Sequence, residues 1–468
     1  MGIPALQEDQ VTTDSIEVDY KSIFDPFYPK KGKLKPSRLI RLFASSKESF
    51  KKKYLDKLPE GYQPDSSLTK LLDTLDKPVC KKDFPDFLRA LGAVCDRAFI
   101  GPKRMLFDIS YGCNLDCVYC RRHSAINPGD PEKADPRYES NFLPVDHMIS
   151  ILDDAKDLMV EEILLVGGGE PTIHPDFEIL VKEVKKRGLG LNFSTNGLAL
   201  RKKLVDVIVD NEVDNITISV SGVSFESYKA THPMMSKKGF EKLFHNFEYL
   251  NYKKRQKVKE TGREFAKPFT LFLHVITSDN YHEVEDMIFT GKEYGFDTIW
   301  FKLVHPSEWS RHLCLNQEQA QEVRDTFLQY RGLQEELEIK IDDYLSEEIN
   351  NLDETGDWSG YFHEKRRCFV GWNFSYVDLS KDYSFCCGDK IVGLNKEYDS
   401  FYDFWTSPRY QRARRCARDI NFGENNIKTY NDGAIIDDFC KSCDNTNFNN
   451  EMEKLMDKYT LDKFLPGA

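Results

Sequence analysis

Six short apolar runs set the limits on what this 468-residue chain can fold into. They are MLFDIS (105–110), EILLV (162–166), LNFST (191–195), NITISV (215–220), TLFLHVI (270–276) and TIWFKLV (298–304). Each is nearly continuous rather than alternating, as strands covered on both faces are. Amphipathic segments lie between them. In HPDFEILVKEVKKRG, Phe177, Leu180, Val181 and Val184 recur at helical spacing. Lys185, Lys186 and Arg187 then precede Gly188, suiting the negative end of a helix and a glycine stop. Strand–helix alternation implies a parallel sheet with right-handed crossovers. Six strands rather than eight predict an α/β fold, a partial (β/α)6 TIM-like barrel. Chemistry in such barrels gathers at the C-terminal strand ends.

The chain's chemical residues fall at those ends. Cys113, Cys117 and Cys120 follow the first strand, and GGGEP (167–171) follows the second. STNG (194–197), SVSG (219–222) and ITSDN (276–280) end the next three. Three cysteines in eight residues are one short of a structural zinc site, which wants four ligands, usually as two separated pairs. Three thiolates on one loop instead suit a cubane iron–sulfur cluster with one iron left open to a small molecule. Taken singly, GGGEP and Asn196-Gly197 read as tight turns, and Ser219 and Asn280 as polar strand ends. Their shared face is what raises them to candidates.

The spacing Cys113-x3-Cys117-x-Tyr119-Cys120, with Gly168-Gly169-Glu170-Pro171 about fifty residues on, resembles the radical S-adenosylmethionine (SAM) superfamily. The resemblance covers about 104–330. It implies a [4Fe–4S] cluster on Cys113, Cys117 and Cys120, with SAM bound at the open iron through its amine and carboxylate. Reductive cleavage of SAM then gives a 5′-deoxyadenosyl radical that takes hydrogen from substrate. By the same resemblance Gly168, Gly169, Glu170 and Pro171 hold the methionyl amine, Ser194, Asn196 and Ser219 are SAM contacts, and Tyr119 lies beside the cluster. Where many members have an acidic residue two positions after Ser219, this chain has Ser221.

Of the twelve cysteines, a second group lies near the C-terminus: Cys368, Cys386, Cys387, Cys416, Cys440 and Cys443. It resembles the auxiliary-cluster module of radical SAM enzymes, called SPASM or, with one cluster, twitch. That implies a second [4Fe–4S] cluster on Cys368, Cys386, Cys440 and Cys443, with Cys387 an alternative to Cys386. A structural zinc on the same four residues is the competing reading. A fully ligated cluster suits electron transfer, favouring net oxidation over rearrangement.

The expected organisation is a mainly helical N-terminal extension (1–100), a radical SAM core (101–335) and a small α+β auxiliary-cluster domain (336–468). Helices are expected from Ser37 to about Leu58, around Ser67–Leu75, around Phe84–Val94 and around Phe401–Cys416. The expected function is an oxidoreductase acting on a sugar or aminosugar, or on a peptide. A peptide maturase or epimerase with a leader-binding N-terminal region is one alternative, and a non-enzymatic iron–sulfur or zinc scaffold is another. Cys314 is a candidate hydrogen donor for epimerisation, against the plainer reading of a core thiol. Flavodoxin or ferredoxin would supply electrons. A net charge of −12 argues against nucleic-acid binding. Two basic runs, from Lys30 to Lys57 and from Asn251 to Arg263, read as solvated faces or a docking surface. No run is long and apolar enough to span a membrane, the N-terminus does not read as a signal peptide, and a cytoplasmic location is expected.

Overall fold

A computed structural model of the chain describes residues 38, 40, 41, 79, 81–127, 142–307, 309–358, 367–386, 391–393, 395–419, 446–462 and 465. In chain order its helices and strands are α1 (Phe84–Val94), β1 (Arg104–Asp108), α2 (Val145–Asp157), β2 (Glu162–Val166), α3 (Phe177–Lys186), β3 (Gly190–Thr195), α4 (Lys202–Asp210) and β4 (Asn215–Ser219). There follow α5 (Phe225–Thr231), α6 (Lys237–Thr261), β5 (Phe269–Ile276), α7 (Val284–Glu293), β6 (Thr298–Leu303), α8 (Gln317–Gly332) and α9 (Tyr344–Asn350). The C-terminal part adds α10 (Val370–Asn373), β7 (Phe374–Val377), β8 (Tyr383–Ser384), β9 (Ile391–Gly393), α11 (Phe401–Trp405), α12 (Pro408–Arg418) and α13 (Thr446–Tyr459).

The six expected strands form one parallel sheet in sequential order, β1 to β6. Their outward side chains meet the helices. On β3, Leu191, Phe193 and Thr195 are buried, and Phe193 packs edge-on against Phe177 of α3 at 5.1 Å. Asn192, Ser194 and Asn196 alternate with them and face the concave side. Helix α3 buries the four apolar residues its periodicity predicts and is followed by Gly188 at φ +74°. That left-handed conformation favours glycine.

The sheet continues past the barrel. β7 pairs in parallel with β1, and β8 and β9 add antiparallel strands beyond it. The C-terminal region is thus hydrogen-bonded into the same nine-stranded sheet. A second apolar core joins α1 (Phe84, Phe87, Leu91) to Phe369, Trp372 and the α13 residues Met452 and Met456. The expected helix over Phe401–Cys416 is two helices. Ser407 caps the second by accepting from the Tyr410 amide, and Pro408 stands in its first turn, where a missing N–H costs nothing. In the segment 337–342, Ile341 forms one isolated parallel bridge to Ile299 of β6. The expected helices over 37–58 and 67–75 lie outside the described residues, apart from helical positions 38, 40 and 41. The basic run on α6 is largely ion-paired: Lys253 with Asp206 at 3.0 Å, Lys257 with Asp210 at 3.8 Å, and Lys254 with Asp297. Those pairs favour the solvated-face reading. Among the described residues no helix is long and apolar enough to cross a membrane.

Candidate active site

The cysteine loop is built onto the GGGEP turn by backbone contacts. The Gly169 amide donates to the Ser110 carbonyl at 2.8 Å, and the Glu170 amide to the Gly112 carbonyl at 2.9 Å. A Cβ on Gly169 would sit 1.9 Å from the Gly112 oxygen, so only glycine allows this approach. Three further ties fix the loop. The Val118 amide donates to the Thr231 carbonyl at the end of α5 at 2.9 Å. The Met234 amide donates to Asp116 at 2.9 Å. The part-buried Tyr119 hydroxyl donates to Ser221 at 2.8 Å beside β4.

All three cysteines are half-buried. Burial pushes the Cys113 thiol up to about 11, and the charges of Glu170 and Cys120 add to it. Cys117 is raised well above the ordinary range by burial and by Cys120 and Cys113. Thiolates this crowded need a cationic centre. Among the described residues no three His, Cys, Asp or Glu side chains converge as a lone ion would require. A cubane, by contrast, takes each thiolate on a separate iron. The donor set and the glycine cradle therefore fit an iron–sulfur cluster.

Glu170 is fully enclosed. Its Oε1 accepts from the Thr172 amide at 3.0 Å and the Thr195 hydroxyl at 2.6 Å, and its Oε2 from the Asn196 amide at 2.8 Å. Burial raises its pKa against these bonds. The carboxylate thus holds the end of β3, and the backbone of 168–171 is what faces the cysteine loop. Asn196 reaches that loop through Asn114 at 2.7 Å. Ser194 is exposed and Ser219 part-buried on the concave side. Pro171 opens a short 3-10 turn capped by Glu170. The Asn280 side chain is engaged by the Thr277 amide and by the Ser221 and Val275 carbonyls, a turn-building role.

Asp108 escaped the sequence reading. This buried carboxylate accepts from the Gly168 amide at 2.8 Å and from the Tyr376 hydroxyl of β7 at 3.1 Å. It also pairs with Arg122 at 3.4 Å, and the Arg122 guanidinium lies directly over Gly168. One side chain thus ties β1, the glycine turn, the exit of the cysteine loop and the C-terminal strand. The signal was present as a lone acid in an apolar strand.

In the C-terminal region, Cys368 and Cys386 flank α10–β8 and pack against the main core. Both lie within electrostatic range of the buried Tyr410 hydroxyl. Cys387, Cys440 and Cys443 lie outside the described residues. Cys416 turns back to the Arg412 carbonyl within α12. Cys314 faces the Ser310 carbonyl at 4.0 Å and crowds Gly356, and burial raises its pKa.

Residues 107–290 match the Radical SAM superfamily. The matched segment holds the cysteine loop and the GGGEP turn, and enzymes of this superfamily carry a [4Fe–4S] cluster and SAM. The chain is 25% identical over 322 residues to the tungsten-containing aldehyde ferredoxin oxidoreductase cofactor-modifying protein of Pyrococcus furiosus, covering 66% of this chain and 82% of that one. It is 29% identical over 131 residues to the mycofactocin maturase MftC of Mycobacterium tuberculosis, covering 28% and 30%. In fold it is similar to Streptococcus suis SuiB bound to its precursor peptide SuiA, with a TM-score of 0.50 at 15% identity over 86% of this chain and 83% of that one.

Proposed function

We propose that the chain modifies a peptide by hydrogen abstraction at the C-terminal mouth of the barrel, in a net oxidation. The observation that carries this reading is the docking of the cysteine loop on Gly169, which sets three half-buried thiols against the backbone of 168–171. Cys113, Cys117 and Cys120 would hold the cluster. The 168–171 backbone, Asn196, Ser194 and Ser219 would bind and orient SAM, with Glu170 as a positioning residue. Bound there, these cofactors supply a 5′-deoxyadenosyl radical, and the protein's tasks are orientation and exclusion of water.

The peptide class is supported over the sugar class by the relatives named maturase, by similarity to the PqqA peptide cyclase of Rhizobium meliloti, 29% identical over 126 residues, and by the precursor peptide in the SuiB structure. Cys368 and Cys386, with Cys440 and Cys443, would hold an auxiliary cluster that receives the electron left on substrate. Clustering of cysteines, those among the described residues being free thiols, fits a reducing cytoplasm, with flavodoxin or ferredoxin as donor. The test incubates reduced, iron-loaded protein with SAM and synthetic peptides encoded beside its gene, each carrying deuterium at backbone or side-chain carbons. Deuterium in 5′-deoxyadenosine from a peptide supports the reading. Transfer only from nucleotide-sugars or aminosugars overturns it.

A further inference from the structure

Tyr228, on α5, carries a polar atom that has no partner among the described residues. Its side chain is fully buried. The ring stacks on His232 at 4.1 Å and 10° and leans on Phe240 at 5.3 Å, so it has no freedom to swing outward. Its hydroxyl makes no hydrogen bond to any described residue. Burial, then the charges of Cys117, Glu170 and Cys113, raise its pKa, and the His232 ring on which it stacks meets the Tyr119 hydroxyl of the cysteine loop at 3.4 Å. The same helix end is fastened to the cysteine loop, because the Val118 amide donates to Thr231, three residues beyond Tyr228.

The protein acceptors nearby are already engaged. Glu170 accepts from Thr172, Thr195 and Asn196. The His232 ring contacts Thr231 through Nδ1 and Tyr119 through Nε2. Leaving a buried hydroxyl unpaired costs about 1–3 kcal/mol, while phenylalanine would fill the same space without that cost.

We infer that Tyr228 donates a hydrogen bond to a sulfur on the Cys113–Cys117 side of the cluster and raises its reduction potential. This rests on the reading that Cys113, Cys117 and Cys120 hold that cluster. Reduction adds negative charge to the sulfurs, so a donor aimed at them favours the reduced state. Burial keeps the hydroxyl protonated, so it remains a donor at every working pH.

The test compares the reconstituted wild-type protein with Tyr228→Phe. Bound iron and sulfide are measured first, then the potential of the signal that changes when SAM is added, by redox titration under electron paramagnetic resonance. The expected result is full iron in both and a lower potential in the variant. A second measurement compares deuteron couplings: after exchange into D2O, pulsed resonance of the reduced wild-type cluster shows one coupled deuteron that Tyr228→Phe lacks, beside those from amides such as that of His123, which donates to Cys120 at 3.3 Å in both proteins. Full iron with an unchanged potential, or the same set of deuteron couplings in both proteins, overturns the inference. A wild-type protein without iron at the loop overturns the cluster reading itself, and the two failures are told apart by that first measurement.

Discussion

At the scale of single residues, the site depends on two positions that hold the loops together. Gly169→Ala places a methyl group against the Gly112 carbonyl, a backbone atom that cannot turn aside. It should cost about 1–3 kcal/mol as overpacking and cut iron loading, measured by denaturation and by iron per chain. Asp108→Ala leaves the part-buried Arg122 guanidinium without its carboxylate. Breaking such a pair from one side costs about 3–5 kcal/mol, and SAM affinity should fall because the Gly168 amide loses its acceptor. Calorimetry on the iron-loaded variant checks both. The two residues differ in how readable they were. Gly169 sits in a motif whose spacing from the cysteines is local information. Asp108 draws its meaning from Arg122 and from Tyr376, 268 residues away, a pairing that no local pattern encodes.

At the scale of elements, the six barrel strands and α3 could be read because apolar run length and helical period are direct consequences of burial. β7 could not be placed on β1, since a four-residue strand carries no record of its partner. The break between α11 and α12 was visible in Ser407-Pro408 but hidden by the apolar pattern running across it. Helix α13 docks at the start of β1 through Glu451, which meets both Lys103 and Arg104. Burial pulls the Glu451 pKa upward, but hydrogen bonds from Arg104 and Lys103 and their charges hold it at about 2, against an ordinary 4.5. A carboxylate depressed on folding gives stability that is full above pH 4.5 and lost as pH falls toward 2. Allowing for partial exposure, this contribution is about 2 kcal/mol. Glu451→Gln should lower stability at pH 7 by that amount and flatten its fall between pH 5 and 3, as urea denaturation at both ends would show.

At the scale of the whole molecule, the C-terminal region completes the sheet, and its buried aromatics brace the barrel. Trp405 is fully buried, donates to the Ile100 carbonyl at 2.9 Å and carries the Arg414 guanidinium 4.1 Å above its ring. Trp405→Ala should cost about 3–5 kcal/mol and lower iron binding at Cys368 and Cys386 before it affects the cysteine loop, readable as separate iron losses. The account's central claim is that the loop at Cys113, Cys117 and Cys120 is the centre at which SAM is cleaved. The most direct measurement is 5′-deoxyadenosine formed from SAM by anaerobically reconstituted, reduced protein, compared with the Cys113→Ala, Cys117→Ala, Cys120→Ala triple variant. The wild type should form it, and the triple variant should not, while it keeps the circular dichroism of the fold. Cleavage at the wild-type rate by the triple variant, or none by an iron-loaded wild type, would contradict the account.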